Sequence, residues 1–108
     1  MPDYGYIVQD LGEQVGTGSD DYGYYGEIEA VLTPEYNTRA YEQLGDRFNG
    51  AGDAYIDAYL RRYENTTRLF ITLNEDFAAD GQFIEEELVL NDDEMDDLDQ
   101  IEIGDYDF

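Results

Sequence analysis

Carboxylates are almost the only side chains in this sequence that could do chemistry. The 108 residues include 28 Asp and Glu but no His and no Cys, which removes thiolate chemistry, the usual zinc ligands and the commonest general base. Paired carboxylates serve as acid and base in glycoside hydrolysis, yet nothing in the sequence marks one pair among so many. The Gly-rich GTGS at residues 16–19 lacks the Lys of a phosphate-binding loop. We therefore predict that the protein is not an enzyme and uses no cofactor.

The segment DFAADGQFIEEE, residues 76–87, is the nearest match to a metal-binding motif. When it is aligned on the Gly of an EF-hand calcium loop, Asp76, Asp80 and Glu87 fall at ligand positions. The intervening ligand position is Ala78, and the preceding LFITLN favours a strand over the entering helix of an EF-hand. A Gly turn between two strands is the preferred interpretation, so we predict no metal site.

Negative charge is concentrated at the two ends of the chain. Five Arg and no Lys offset the 28 acids, which gives a net charge of −23. Residues 1–33 hold seven acids and no base, residues 34–74 hold six acids and all five Arg, and residues 75–108 hold fifteen acids and no base. A chain this acidic repels nucleic acid and anionic lipid and attracts basic proteins. We therefore expect no direct binding to nucleic acid or to membranes.

The N-terminal third predicts a β-hairpin. Residues 4–9 are a short β-favouring run, and the Gly, Ser and Asp within residues 11–21 indicate a loop. Residues 22–33 form the better strand, because Glu27 and Glu29 would share one face while apolar residues share the other.

Two helices are predicted in the centre of the chain. Thr33 and Pro34 form a helix start, and an apolar residue recurs at every fourth position from residue 36 to residue 48. A second helix is predicted over residues 53–64. Its large apolar residues would form one stripe, made of Tyr55, Ile56, Tyr59, Leu60 and Tyr63. Alternation in the same stretch also fits a strand, but strand geometry would divide the large apolar residues between two faces, so the helix is preferred.

The C-terminal third predicts a second hairpin and then a short helix. Residues 69–74 and 82–90 are rich in β-formers and read as paired strands. Asn91 is a helix cap, acids fill the first turn, and Glu94 lies three residues after the cap. The inner face of this helix would carry Met95 and Leu98.

The resulting order, ββααββ with a small terminal helix, indicates the α+β class. We predict one acidic domain over residues 1–108, built as an antiparallel sheet with two central helices and a short acidic C-terminal helix. Residues 75–108 are the most acidic part of this domain. We expect them to be ordered, because apolar spacing and a cap signature are not typical of a solvated tail.

Ordered acids would form regular rows of negative charge. Alternate residues on one face of a strand are about 6.6–6.8 Å apart. Residues four positions apart in a helix are separated by about 6 Å along the helix axis. DNA is also a dense, regular anion, and exposed Tyr beside carboxylates suits a protein interface. We therefore predict a DNA-mimic inhibitor that occupies the basic nucleic-acid-binding groove of a partner. The predicted partner-binding residues are Asp20, Asp21, Tyr24, Tyr25, Glu27, Glu29, Glu85, Glu87, Asp92, Asp93, Asp96, Asp97 and Asp99.

In size and acidity the chain resembles phage-borne inhibitors of the anti-CRISPR and anti-restriction type. The resemblance implies a basic nucleic-acid-binding partner, such as a CRISPR effector, a nuclease or a chromatin-type protein; a homodimer is also compatible with the sequence. No signal peptide or bilayer-length apolar run is visible, so we expect the protein in the cytoplasm, of the host cell if it is phage-encoded. The alternative is a non-enzymatic structural or virion protein from a high-salt organism. A calcium-dependent binding module is a third, less favoured interpretation.

Overall fold

Five strands and two α-helices form the part of the chain that the computed structural model describes, residues 6–47 and 56–101. The elements are β1 (Val8–Asp20), β2 (Gly23–Leu32), α1 (Pro34–Leu44), β3 (Ile56–Arg62), β4 (Thr67–Leu73), β5 (Ile84–Glu87) and α2 (Asp92–Asp99). Short 3-10 turns cover Gly45–Arg47 and Glu75–Phe77. The strands lie in one sheet in chain order, each antiparallel to the next. The α+β class and the antiparallel sheet are therefore confirmed.

The predicted order of elements is wrong in the centre of the chain. Residues 56–62 form a strand, so the described order is ββαβββα, and a strand stands over these residues where the second central helix was expected. β3 is hydrogen-bonded on both sides, to β2 and to β4. Pairing with two neighbours satisfies the backbone groups of residues 56–62 in an extended chain, which overrides the local helical stripe. Residues 53–55, the start of the predicted helix, lie outside the described residues.

The loop predicted over residues 11–21 is also wrong. Residues 11–20 continue β1, with two irregularities in their register against β2, and Asp21 and Tyr22 make the turn. β-Bulges absorb the residues that break regular alternation. Gly18 is needed for a close approach, because a Cβ there would lie 2.5 Å from the hydroxyl of Tyr25. The Gly, Ser and Asp residues that suggested a loop therefore lie in a strand with β-bulges, where Gly18 leaves room for the Tyr25 ring.

Helix α1 starts where the sequence predicts and ends early. Pro34 occupies its first turn, but the Thr33 hydroxyl makes no cap bond and donates to the carbonyls of Tyr6 and Ile7. The helix ends at Leu44, followed by Gly45 with a φ of 50°. Residue 48, the last position of the predicted apolar repeat, is outside the described chain.

The core lies between one face of the sheet and the two helices. Buried side chains of the strands, among them Leu60, Leu69 and Ile71, pack with those of α1 and α2. We call the opposite face of the sheet the outer face. It carries Tyr25, Glu27, Tyr59, Arg61, Arg68, Phe70, Glu85 and Glu87, and no helix of the described chain covers it.

Candidate acidic interface

Helix α2 is held in place by its first turn. The side chain of Asn91 accepts a hydrogen bond from the Glu94 backbone N–H at 2.8 Å, and the Glu94 carboxylate accepts one from the Asn91 backbone N–H at 3.0 Å. This reciprocal pair is the predicted capping box. Leu98 is buried in the core and Met95 is half-buried. The predicted terminal helix is confirmed.

Glu94 is the one acid of α2 that is buried. Its carboxylate accepts hydrogen bonds from the Tyr36 hydroxyl at 2.5 Å and from the Arg39 guanidinium at 2.6 and 2.7 Å. Burial opposes its ionisation, but these bonds from Arg39 and Tyr36, with that from the Asn91 backbone, lower the pKa of Glu94 to about 2. The charge of Glu94 is therefore used to join α2 to α1.

The remaining acids of α2 divide into exposed and anchored groups. Asp92, Asp93 and Asp96 are exposed, and no ion pair among the described residues involves them. Asp97 is half-buried, with one carboxylate oxygen buried and without a hydrogen-bond partner in the described chain. Asp99 accepts bonds from the Thr67 backbone N–H at 2.7 Å and the Thr66 hydroxyl at 3.0 Å. Three of these five predicted site residues thus face solvent with their charge uncompensated.

On the outer face, three predicted site residues converge on Arg61. Its guanidinium contacts Glu85 at 2.8 Å, Glu27 at 3.1 Å and Asp20 at 3.3 Å. Arg61 is only 7% exposed and lies over the rings of Tyr25 and Phe70. Burial opposes its charge, yet the hydrogen bonds that Arg61 donates to Glu27 and Glu85 raise its pKa above the ordinary value. These carboxylates are compensated within the fold.

The expected rows of like charge on the strands are interrupted by arginine. Glu85 and Glu87 share the outer face, but Glu85 contacts Arg61 and Glu87 contacts Arg68 at 2.9 Å. Glu27 is likewise paired, whereas Glu29 is exposed. The outer face is therefore a mixed surface of both signs.

The turn between β1 and β2 presents the remaining predicted residues. Asp21 is exposed, and Tyr24 is 74% exposed. Tyr25 is half-buried and packs on Tyr63, with ring centroids 5.4 Å apart. Of the two predicted tyrosines, Tyr25 therefore packs within the fold and Tyr24 is exposed to solvent.

Sequence reasoning missed two contributors to these surfaces, Arg61 and Glu64. Arg61 was placed on a helix, where Glu27 and Glu85 could not flank it; the only signal was the alternation that also fits a strand. Glu64 is exposed in the turn between β3 and β4, beside Tyr22 and Tyr24. The polar run ENTT at residues 64–67 was the signal for that turn.

The segment that resembled a calcium loop is a turn between two strands, as preferred. Gly81 adopts a φ of 72° in it, and Glu87 lies in β5, where it contacts Arg68. Within residues 6–47 and 56–101, no three acids gather in a way that could hold a metal ion. No helix of the described chain is both long and apolar enough to span a bilayer.

Fold and surface together define a small, strongly acidic α+β protein. A comparison with protein-family models found no match, and comparisons with curated proteins and with solved structures found none either. The exposed charges and the scaffold that holds them are therefore the features that indicate a function.

Proposed function

We propose that this protein is a DNA-mimic inhibitor that binds the basic nucleic-acid-binding groove of a partner protein. The observation that carries the proposal is the exposed acidic side of α2, with Asp92, Asp93 and Asp96 on a helix fixed at both ends. Its start is fixed by the capping box and Glu94, and its end by Leu98 and by the bonds that Asp99 accepts. A fixed scaffold avoids the entropy cost of ordering a flexible acidic tail on binding.

The spacing of these acids suits a groove that binds phosphates. Asp92 and Asp96 are separated by one helical turn, a rise of about 6 Å. A groove lined with Lys and Arg attracts such negative charges. This electrostatic attraction speeds the encounter of the two proteins, and it disfavours partners of the wrong sign.

The arginines of the chain support a protein partner and argue against nucleic acid itself. Arg39, Arg47, Arg61 and Arg68 each contact a carboxylate of the same chain. Arg62 donates to the Thr67 hydroxyl. Positive charge is thus used within the fold, and the exposed surface that remains is dominated by acid.

The partner class is a basic nucleic-acid-binding protein, such as a CRISPR effector, a nuclease or a chromatin-type protein. An inhibitor of this class acts where its target acts, in the cytoplasm of the host cell if it is phage-encoded.

A displacement assay tests the proposal. Proteins captured from bacterial lysate at about 50 mM salt, where screening is weak, are purified and loaded with fluorescent duplex DNA. The wild-type protein should release the DNA, as measured by fluorescence anisotropy, and the effect should decline as salt rises. Capture without displacement of DNA would overturn the proposal.

A matched pair of variants locates the surface. The triple substitution Asp92→Asn, Asp93→Asn and Asp96→Asn should weaken displacement roughly tenfold or more, because it removes charges that meet the groove. The control, Glu13→Gln, Glu42→Gln and Glu75→Gln, removes the same charge from exposed residues elsewhere. Equal loss in both variants would show an effect of net charge alone and would contradict a role for α2.

A further inference from the structure

A cleft of about 630 Å³ lies between two turns at one end of the sheet. The β1–β2 turn contributes Tyr22 and Tyr24, and the β3–β4 turn contributes Tyr63, Glu64 and Thr66. We call this feature the tyrosine cleft. Its volume falls within the range of about 300–1,000 Å³ that is usual for small-molecule sites.

The walls of the tyrosine cleft combine aromatic rings with negative charge. Tyr24 is 74% exposed and Tyr22 is 54% exposed, while Glu64 is exposed beside them. The face of a Tyr ring attracts a cation, and a carboxylate supplies the opposite charge. Within a chain of net charge −23, this lining selects a cation and disfavours an anion.

The molecule itself shows which cation such surroundings suit. Arg39 lies over the Tyr36 ring at 4.6 Å and contacts Glu94. Arg68 lies over the Tyr22 ring at 3.9 Å and contacts Glu87. Each combines a stacked guanidinium with a carboxylate.

Tyr24 and Glu64 provide the same two elements without a cation. Among the described residues, Tyr24 stacks with no arginine and Glu64 forms no ion pair. A planar guanidinium can lie flat on the Tyr24 ring while it donates in-plane hydrogen bonds to a carboxylate, which the compact ammonium of lysine does less well.

We propose that the tyrosine cleft binds the guanidinium of an arginine side chain from the basic partner. This inference rests on the proposed function and names a contact within it. The cleft lies beside the end of α2, because Thr66 in its wall donates its hydroxyl to Asp99. An arginine that enters the cleft thus brings neighbouring basic residues of the partner to the C-terminal end of α2, where the exposed Asp96 lies three residues before Asp99.

A titration of the whole protein with N-acetyl-arginine amide tests the cleft directly. The backbone NMR chemical shifts of the protein are the readout. The neutral probe N-acetyl-citrulline amide and the ammonium probe N-acetyl-lysine amide are titrated in parallel. We expect saturable shifts from the arginine probe at residues 22–24 and 63–66, weaker binding of lysine, and no saturable binding of citrulline.

Four variants separate the cleft from general attraction to acid. Tyr24→Ala and Glu64→Gln should each weaken the arginine probe by roughly threefold to tenfold, the range of one cation–π contact or one ion pair. Their controls, Phe83→Ala and Glu75→Gln, change exposed residues outside the cleft. Shifts spread over all acidic residues, equal binding of lysine, or no effect of Tyr24→Ala would each overturn the inference. A thermal melt of every variant confirms that it is folded.

The result is independent of the displacement assay, because the probe needs no partner. Saturable binding of arginine in the cleft together with failed DNA displacement would retain the cleft and overturn the mimic. Successful displacement that is unchanged by Tyr24→Ala would retain the mimic and remove the cleft from its interface.

Discussion

The carboxylate of Glu94 in α2 accepts a hydrogen bond from the hydroxyl of Tyr36 in α1 at 2.5 Å, and both side chains are buried. Arg39, one helical turn after Tyr36, adds two further contacts to the same carboxylate. A single acid thus connects the helix that carries the exposed carboxylates to the helix that covers the sheet. The start of the acidic helix is positioned by this one buried charge, while Leu98 and Asp99 hold its end.

Replacement of Glu94 by Gln should destabilise the protein. The amide retains the shape but loses the charge-assisted bonds to Arg39 and Tyr36 and leaves buried donors poorly matched, at a cost of about 1–3 kcal/mol. Urea unfolding, followed by circular dichroism, measures the difference. Asp96→Asn, which changes an exposed acid of the same helix, should alter the free energy of unfolding by no more than about 0.5 kcal/mol. Equal stability of the two variants would show that Glu94 does not anchor α2.

The contribution of Glu94 should depend on pH in a defined window. Its pKa falls from 4.5 to about 2 on folding, so the unfolded chain binds more protons at Glu94 between these values. Its stabilising contribution is therefore present above pH 4.5 and is lost as pH falls toward 2. The readout is the difference in free energy of unfolding between the wild type and Glu94→Gln, because other carboxylates titrate in both proteins. That difference should shrink as the solution is acidified; a constant difference would contradict the assignment.

Replacement of Arg61 should lower the stability of the fold more than replacement of the exposed Arg47. Arg61→Met leaves the partly exposed carboxylates of Asp20, Glu27 and Glu85 near one another without their shared cation, at a cost of about 1–3 kcal/mol. The exposed pair of Arg47 and Glu86 provides the control, since Arg47→Met should cost about 1 kcal/mol or less. Thermal unfolding of both variants tests the ranking, and a larger loss for Arg47→Met would refute it.

The helices could be predicted because their start signals are local. Thr33 with Pro34 begins α1, and Asn91 with Glu94 begins α2, within four residues of sequence each. The same locality made the start of α2 and the exposure of Asp92, Asp93 and Asp96 accessible to sequence reasoning. Both described helices begin at signals within their own residues, although only Asn91 makes the side-chain cap bond.

The strands and the outer face depend on contacts that are distant in sequence. β3 is a strand because β2 and β4 pair with it, and the alternation of its residues was outweighed locally by a helical stripe. The convergence of Asp20, Glu27 and Glu85 on Arg61 follows from the four registers that align the five strands. No spacing along the chain reveals such a register, so acids that looked free in the sequence are paired in the fold.

Gly18→Ala should disturb the stack of Tyr25 on Arg61. The added Cβ would lie 2.5 Å from the Tyr25 hydroxyl, so the ring must shift. Overpacking of this kind costs about 1–3 kcal/mol, and near-ultraviolet circular dichroism should record the altered Tyr environment. Gly16→Ala is the matched control in the same strand, because its Cβ would meet nothing within 4 Å. If both variants behave alike, Gly18 serves β1 in some other way.

Added salt should stabilise the folded protein but weaken its binding to the partner. The unpaired carboxylates repel one another in the folded chain. The Debye length, over which such repulsion acts, falls from about 30 Å at 0.01 M to about 8 Å at 0.15 M ionic strength. Added salt should therefore raise the melting temperature while it weakens displacement of DNA from the partner. The buried ion pairs of Arg61 and Glu94 are screened much less than exposed charges, so we expect the protein to remain folded in dilute buffer. A protein adapted to high salt would instead unfold when salt is removed, and melting curves in about 10 mM and about 500 mM sodium chloride distinguish the two outcomes.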